Sequence, residues 1–240
     1  MSNVHIFPNV EALIHAAADE FVRRASESIA ARERFAVALS GGSTPHALYT
    51  LLASAVYAQK IDWARTHIFW GDERCVPPDH PDSNYRLAHE TLLAHVPLPP
   101  RNIYRMRGEI DPAAAAEEYA QALKAFFGGE DTRFDLLLLG MGDDGHTASL
   151  FPHTPALAEK SRLVAANYVE SKAVWRITLS ARAINAAAHI VFLVAGAGKA
   201  QRLYDVLKGA PQPEHLPAQS VSPVNGDLRW FIDAEAALLL

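Results

Sequence analysis

Apolar residues at Val10, Leu13, Ile14, Ala17, Phe21 and Ala25 recur every three or four positions, which places them on one face of a helix. The period then changes. Phe35 to Leu39 (FAVAL) is an unbroken apolar run that stops at Ser40-Gly41-Gly42-Ser43-Thr44-Pro45, after which HALYTLLAS returns to helical spacing. Strand-like runs recur as HIFW at 67–70, FDLLLL at 134–139, VWRITL at 174–179, HIVFLVA at 189–195 and LRWFI at 228–232. Helical segments separate them. Asp111 and Pro112 supply an N-cap and a first-turn proline, and Gly128-Gly129 stops the helix they begin. Several strands are apolar throughout and do not alternate, so they are buried on both faces. That predicts a doubly wound, largely parallel α/β sheet with helices on both faces, of Rossmann-like type. Proline clusters at 77–81, 97–100 and 211–217 mark loops. No linker or repeat divides residues 1–240, which read as a single domain.

The composition fits this picture. Of 240 residues, 50% are hydrophobic and 20% charged, the balance of a globular chain. The net charge of −5 is spread along the sequence with no basic run, so neither nucleic acid nor an anionic membrane is expected as a partner. Cys75 is the single cysteine and cannot form an intramolecular disulfide, as suits a reducing compartment. The N-terminus lacks the pattern of a secretory signal, and the longest apolar stretches fall short of the ~18 residues that span a bilayer. A cytoplasmic location is expected.

In open parallel sheets ligands bind outside the carboxyl ends of the strands, so the loops there are the candidates for chemistry. The Ser40–Pro45 loop offers two glycines for close backbone approach, hydroxyls on Ser40, Ser43 and Thr44, and the amino end of a helix, a combination suited to phosphate. The same residues also suit a plain N-capped turn. Gly71-Asp72-Glu73-Arg74 follows HIFW and could set Arg74 on an anion with Asp72 or Glu73 orienting it, or could form a surface ion pair. Asn84, at the start of the next helix, could face the same crevice.

The third loop, Gly140-Met141-Gly142-Asp143-Asp144-Gly145-His146-Thr147, formally matches a dinucleotide-binding GxGxxG motif. Two aspartates where a pyrophosphate should lie, and no long helix after them, argue against that use. It presents instead an imidazole, His146, flanked by carboxylates able to fix its tautomer, which describes a general base. Gly196-Ala197-Gly198-Lys199 is not a P-loop, but Lys199 could serve as a counter-charge to phosphate or carboxylate. Arg176, within VWRITL, needs a partner or a ligand. Neither GxSxG nor HExxH occurs, and His146 with His153 is too sparse a pair for a metal site.

Taken in order, LSGGSTP (39–45), WGDERCVPPDHPDSNYRLAHETLL (70–93), FDLLLLGMGDDGHTASLFP (134–152), RITLS (176–180) and the tail from LPAQSVSP through LRWFIDAEAA resemble the 6-phosphogluconolactonase family over nearly the whole chain. The most specific segment is GMGDDGHTASLFP. Related glucosamine-6-phosphate deaminases share a similar loop but continue it typically toward asparagine-glutamate-proline, where this chain has Ser149-Leu150-Phe151-Pro152. The resemblance implies hydrolysis of 6-phospho-D-glucono-1,5-lactone, a small phosphorylated sugar lactone, without metal or organic cofactor. It implies His146 as general base and Gly41, Gly42, Ser43, Arg74 and Lys199 around the substrate, with Asp72, Asp144 and Arg176 less firmly placed. The alternatives are a deaminase or isomerase of the same fold and a non-catalytic sugar-phosphate-binding module. A monomer or small homo-oligomer is expected.

Overall fold

In the computed structural model, which describes residues 3–240, strands and helices alternate along most of the chain. In chain order the elements are β1 (Asn3–Phe7), α1 (Val10–Arg32), β2 (Phe35–Leu39), α2 (Ser43–Leu52), α3 (Ala55–Ala58), β3 (Thr66–Trp70), β4 (Asp72–Arg74), α4 (Asn84–Thr91), α5 (Pro112–Phe127), β5 (Leu136–Leu139), β6 (Val164–Val169), β7 (Val174–Leu179), α6 (Ala181–Asn185), β8 (His189–Val194), α7 (Ala200–Lys208) and β9 (Asp227–Asp233). Six strands form an all-parallel sheet in the order β1-β9-β8-β5-β2-β3.

The unbroken apolar runs are explained by the two cores. Along β2 and β5, Val37, Leu39, Leu136 and Leu138 point to one cluster with Leu13, Phe21, Leu48 and Tyr49 from α1 and α2. Ala36, Ala38, Leu137 and Leu139 point to the other, with Ala116, Leu123 and Leu203 from α5 and α7. A strand covered on both faces has no polar side to show. Terminal signals act as the sequence predicts at α5: the Asp111 side chain accepts from the Ala114 amide, and Gly128 closes the helix at φ 82.

One strand sits elsewhere than the sequence suggests. VWRITL, β7, is not part of the parallel sheet but the centre of a three-stranded antiparallel one, β4-β7-β6. Its first half is only partly buried, as an antiparallel strand with one wet face should be. This small sheet stands at the carboxyl end of the parallel one, because the backbone passes almost directly from β3 into β4 and the Leu179 amide donates to the Gly71 carbonyl at 2.8 Å. No helix among the described residues is long and apolar enough to cross a membrane.

Candidate active site

Where the carboxyl ends of β2, β3 and β5 meet the small sheet, a pocket of about 240 Å³ opens. Ser40, Gly41, Gly42, Asp72, Arg74, His146 and Arg176, from four separated stretches of chain, all line it. Four further candidates stand back from it: Ser43 and Thr44 lie in the first turn of α2, Asp144 lies behind His146, and Lys199 is paired elsewhere.

The first wall is the turn after β2. Burial pushes the Tyr49 phenol up, so it stays protonated, and its hydroxyl donates to the Ser40 carbonyl at 2.7 Å and accepts the Ser40 amide at 3.0 Å. That clamp fixes the turn. Gly42 sits at φ 110, a conformation that favours glycine, and Gly41 is pressed against Asn84 so closely that a methyl group would stand 1.9 Å from its Oδ1. Among the described residues the Gly41 and Gly42 amides have no acceptor and the buried Ser40 hydroxyl has no partner.

The second wall is cationic. Arg74 and Arg176 are register partners on β4 and β7, and neither forms a salt bridge among the described residues. Burial lowers the Arg176 pKa, and the neighbouring Arg74 charge lowers it further. Arg74 donates from one nitrogen to the Asp82 carbonyl, while its buried Nε has no acceptor among the described residues. Two like charges placed side by side in a half-buried pocket are costly unless an anion joins them. Glu73 does not orient the Arg74 guanidinium. Its buried carboxylate accepts instead from the amides of Arg74, Asn84 and Tyr85 at 2.7–2.8 Å and from the Ser83 hydroxyl at 3.0 Å, fixing the start of α4.

The third wall carries the imidazole. The Asp144 carboxylate accepts the His146 amide at 3.0 Å and meets His146 Nδ1 at 2.5 Å. Burial raises the Asp144 carboxyl, but the bonds and charge of His146 outweigh this and hold it at about 2. An ionised Asp144 selects the tautomer with the proton on Nδ1, leaving Nε2 as the acceptor. Phe151 stacks on one face of the ring, with centroids 4.0 Å apart. Asp143 points the other way and pairs with Lys199 at 2.5 Å; that bond lowers its pKa. Arg202 holds the Asp143 carbonyl at 2.9 Å, so the amino end of α7 braces the loop from outside.

Three lining residues had no separate mark in the sequence. Ser149 donates to Asp72 Oδ2 at 2.6 Å across 77 positions, Phe151 backs His146, and Lys172 stands 5.7 Å from the Phe151 ring centre. Ser149 and Phe151 lie inside the TASLFP segment and could have been found from it. Lys172 sits between β6 and β7, and only the hairpin brings it to the pocket. The arrangement as a whole offers one base, a row of anion donors and a carboxylate between them, the equipment for adding water to a carbonyl of an anionic, hydroxylated substrate.

A family model described as glucosamine-6-phosphate isomerases/6-phosphogluconolactonase matches residues 8–230. The chain is 42% identical to 6-phosphogluconolactonase of Nostoc sp., covering 97% of this chain and 96% of that one. It is 37% identical to the enzyme of the same name from Aggregatibacter actinomycetemcomitans, covering 99% and 100%. The structure of 6-phosphogluconolactonase from Trypanosoma cruzi superposes with a TM-score of 0.88 at 28% identity, over 100% of this chain and 97% of that one. A monomeric glucosamine-6-phosphate deaminase, TM-score 0.82 at 22% identity, shares the fold.

Proposed function

We propose a mechanism from one premise: the chain belongs to the family of glucosamine-6-phosphate isomerases and 6-phosphogluconolactonases. Its full-length relatives near 40% identity are 6-phosphogluconolactonases, and the chain is an enzyme of that activity, hydrolysing 6-phospho-D-glucono-1,5-lactone to 6-phospho-D-gluconate. The substrate is a small phosphorylated lactone. The site residues are assigned from the geometry. The observation that carries the assignment is the convergence of His146 with the Ser40–Gly42 turn and the Arg74/Arg176 pair on one pocket.

The phosphate is held by Arg74, Arg176 and the Gly41 and Gly42 amides, donors that line the pocket and have no carboxylate partner among the described residues. Asp72 and Asn84 line the same pocket and accept from sugar hydroxyls, Asn84 through its Oδ1, which is unpartnered among the described residues. Binding energy gathered at the phosphate fixes C1 against the base, so a weak nucleophile suffices. His146 Nε2 takes a proton from water as its oxygen attacks the C1 carbonyl. The tetrahedral adduct then expels the ring oxygen, the C1–O5 bond breaks, and His146 returns the proton to O5. Asp144 touches no reacting atom; it is a positioning residue that orients the ring and stabilises its charged form. Lys199 and Asp143 brace the loop, and Ser43 and Thr44 form the helix end behind the phosphate.

His146→Gln should lower turnover by about 10²–10⁴ while leaving phosphate-dependent binding largely intact. The measurement is the decay of freshly generated lactone against its spontaneous hydrolysis, with unphosphorylated gluconolactone in parallel. Near-normal turnover in the variant would remove His146 from the mechanism.

A further inference from the structure

At the opposite pole, where the chain enters β2, β5, β8 and β9, lies a cleft of about 820 Å³ lined by six arginines: Arg23, Arg24, Arg32, Arg34, Arg133 and Arg229. Four of them are neutralised within the protein. Arg23 and Arg24 pair with Glu20 and Glu27, Arg229 with Glu20 and Asp227, and Arg32 with Asp135 at 2.5 Å. Arg34 and Arg133 have no carboxylate partner among the described residues. Arg34 donates one nitrogen to the Phe126 carbonyl at 3.2 Å and lies 4.6 Å over the Phe126 ring. Arg133 donates one to the Asn225 carbonyl at 2.6 Å. A guanidinium has five N–H donors, so most on both residues remain open.

Both stand where the chain is about to enter neighbouring strands, Arg34 just before β2 and Arg133 three residues before β5, and both line the cleft. Val37 pairs with Leu136 across β2 and β5, and Arg34 and Arg133 each stand three residues upstream of that pair. One cleft therefore holds two guanidiniums that no carboxylate among the described residues neutralises. Asp131 lines the same cleft and pairs with neither. The Arg74/Arg176 pair at the other pole likewise lacks a carboxylate partner among the described residues, though there the two are direct register partners.

We propose that this cleft is a second anion site, in which Arg34 and Arg133 together hold a multivalent oxyanion of the phosphate or pyrophosphate type, free or carried on an ester. The planar fork of arginine fits two phosphate oxygens at once, and an anion shared by two guanidiniums removes their repulsion.

The test is calorimetric titration of inorganic pyrophosphate into the full chain carrying Arg74→Gln and Arg176→Gln, so that the first pocket no longer competes. Saturable binding is expected. It should weaken about tenfold when Arg34→Gln and Arg133→Gln are added, about threefold with Arg133→Gln alone, and tighten about threefold with Asp131→Asn. In an otherwise unaltered chain, these substitutions should leave lactone hydrolysis unchanged, which also shows that the fold is intact. Arg133 and Asp131 are both exposed, so their single variants carry the test if the double variant fails to fold. ADP tried in place of pyrophosphate separates the sources: tighter binding assigns the site to a phosphate ester, equal or weaker binding to the free ion. No saturable heat, or an affinity indifferent to Arg133→Gln and Asp131→Asn, would overturn the proposal.

Discussion

Gly142→Ala should disable the imidazole without unfolding the protein. A methyl group at this position would stand 2.0 Å from His146 Nδ1, 2.1 Å from Cε1 and 2.8 Å from Asp144 Oδ1. Non-bonded carbon and nitrogen settle near 3.5 Å, so the ring must retreat by roughly 1.5 Å. Phe151 blocks retreat along the stacking direction at 4.0 Å, which leaves rotation away from Asp144 and loss of the 2.5 Å contact that sets the tautomer. Misplacing a reacting group by about 1 Å costs about 10² in rate, and turnover of the variant should fall by that factor. KM should change by less than about threefold, because the phosphate cradle lies on other loops.

The atoms struck are side-chain ends, and Gly142 is not among the glycines with positive φ, so the stability loss should stay below about 2 kcal/mol. Gly198→Ala is the control: it too has no positive φ, and a methyl group there meets nothing within 4 Å. Its rate should lie within about twofold of the parent. The assay is the initial rate on fresh lactone, corrected for spontaneous hydrolysis, with thermal denaturation run on the same samples. Parent-level turnover in Gly142→Ala, or equal losses in both variants, would refute the assignment of Gly142 as the space that His146 requires.

Three other outcomes follow from the geometry. Gly41→Ala drives a methyl group to 1.9 Å from Asn84 Oδ1 and should raise KM by about tenfold with a smaller change in kcat, seen in full saturation curves. Asp144→Asn should lower stability at neutral pH and leave it unchanged in strong acid: a carboxyl held at about 2 against its ordinary 3.8 stabilises the fold fully above that ordinary value and loses the contribution as pH falls through 2. Denaturant titrations between these limits should therefore show the parent converging on the variant as acid is added. Glu73→Ala leaves buried amides at the start of α4 without their acceptor and should cost about 2–4 kcal/mol, measured by chemical denaturation.

The parallel sheet is readable from the sequence because each of its central strands serves two cores and so carries an unbroken apolar run. β1, β4 and β6 escape that reading: NVHIF is a largely exposed edge, DER is three polar residues, and VAANYV alternates only weakly. β7 was visible as a strand, but nothing within six residues says which sheet receives it. In the site, loops with glycine beside histidine or hydroxyl stand out because they interrupt apolar strands. The choice between Asp143 and Asp144 was not legible, since the two are adjacent and only the turn closed by the Asp144–His146 amide bond decides which faces the ring. Lys199 could be seen as a helix-start cation, but not that Asp143 would take its charge at 2.5 Å.

The contents of the pocket also bear on the choice between hydrolysis and the isomerase-type chemistry of the wider family. Ring opening with enolisation moves protons at two separate centres and needs a second group able to take and return one. Asp72 is the only carboxylate lining the pocket among the described residues. Its Oδ2 accepts the Ser149 hydroxyl at 2.6 Å and its Oδ1 the Asn84 side-chain amide at 3.3 Å, so both oxygens are engaged before a substrate arrives. A carboxylate fixed in this way is suited to receive a sugar hydroxyl and poorly placed to swing between two carbon atoms. Lactone hydrolysis makes no such demand, because the proton taken from water is the one the departing ring oxygen needs, and a single imidazole can carry it from one to the other.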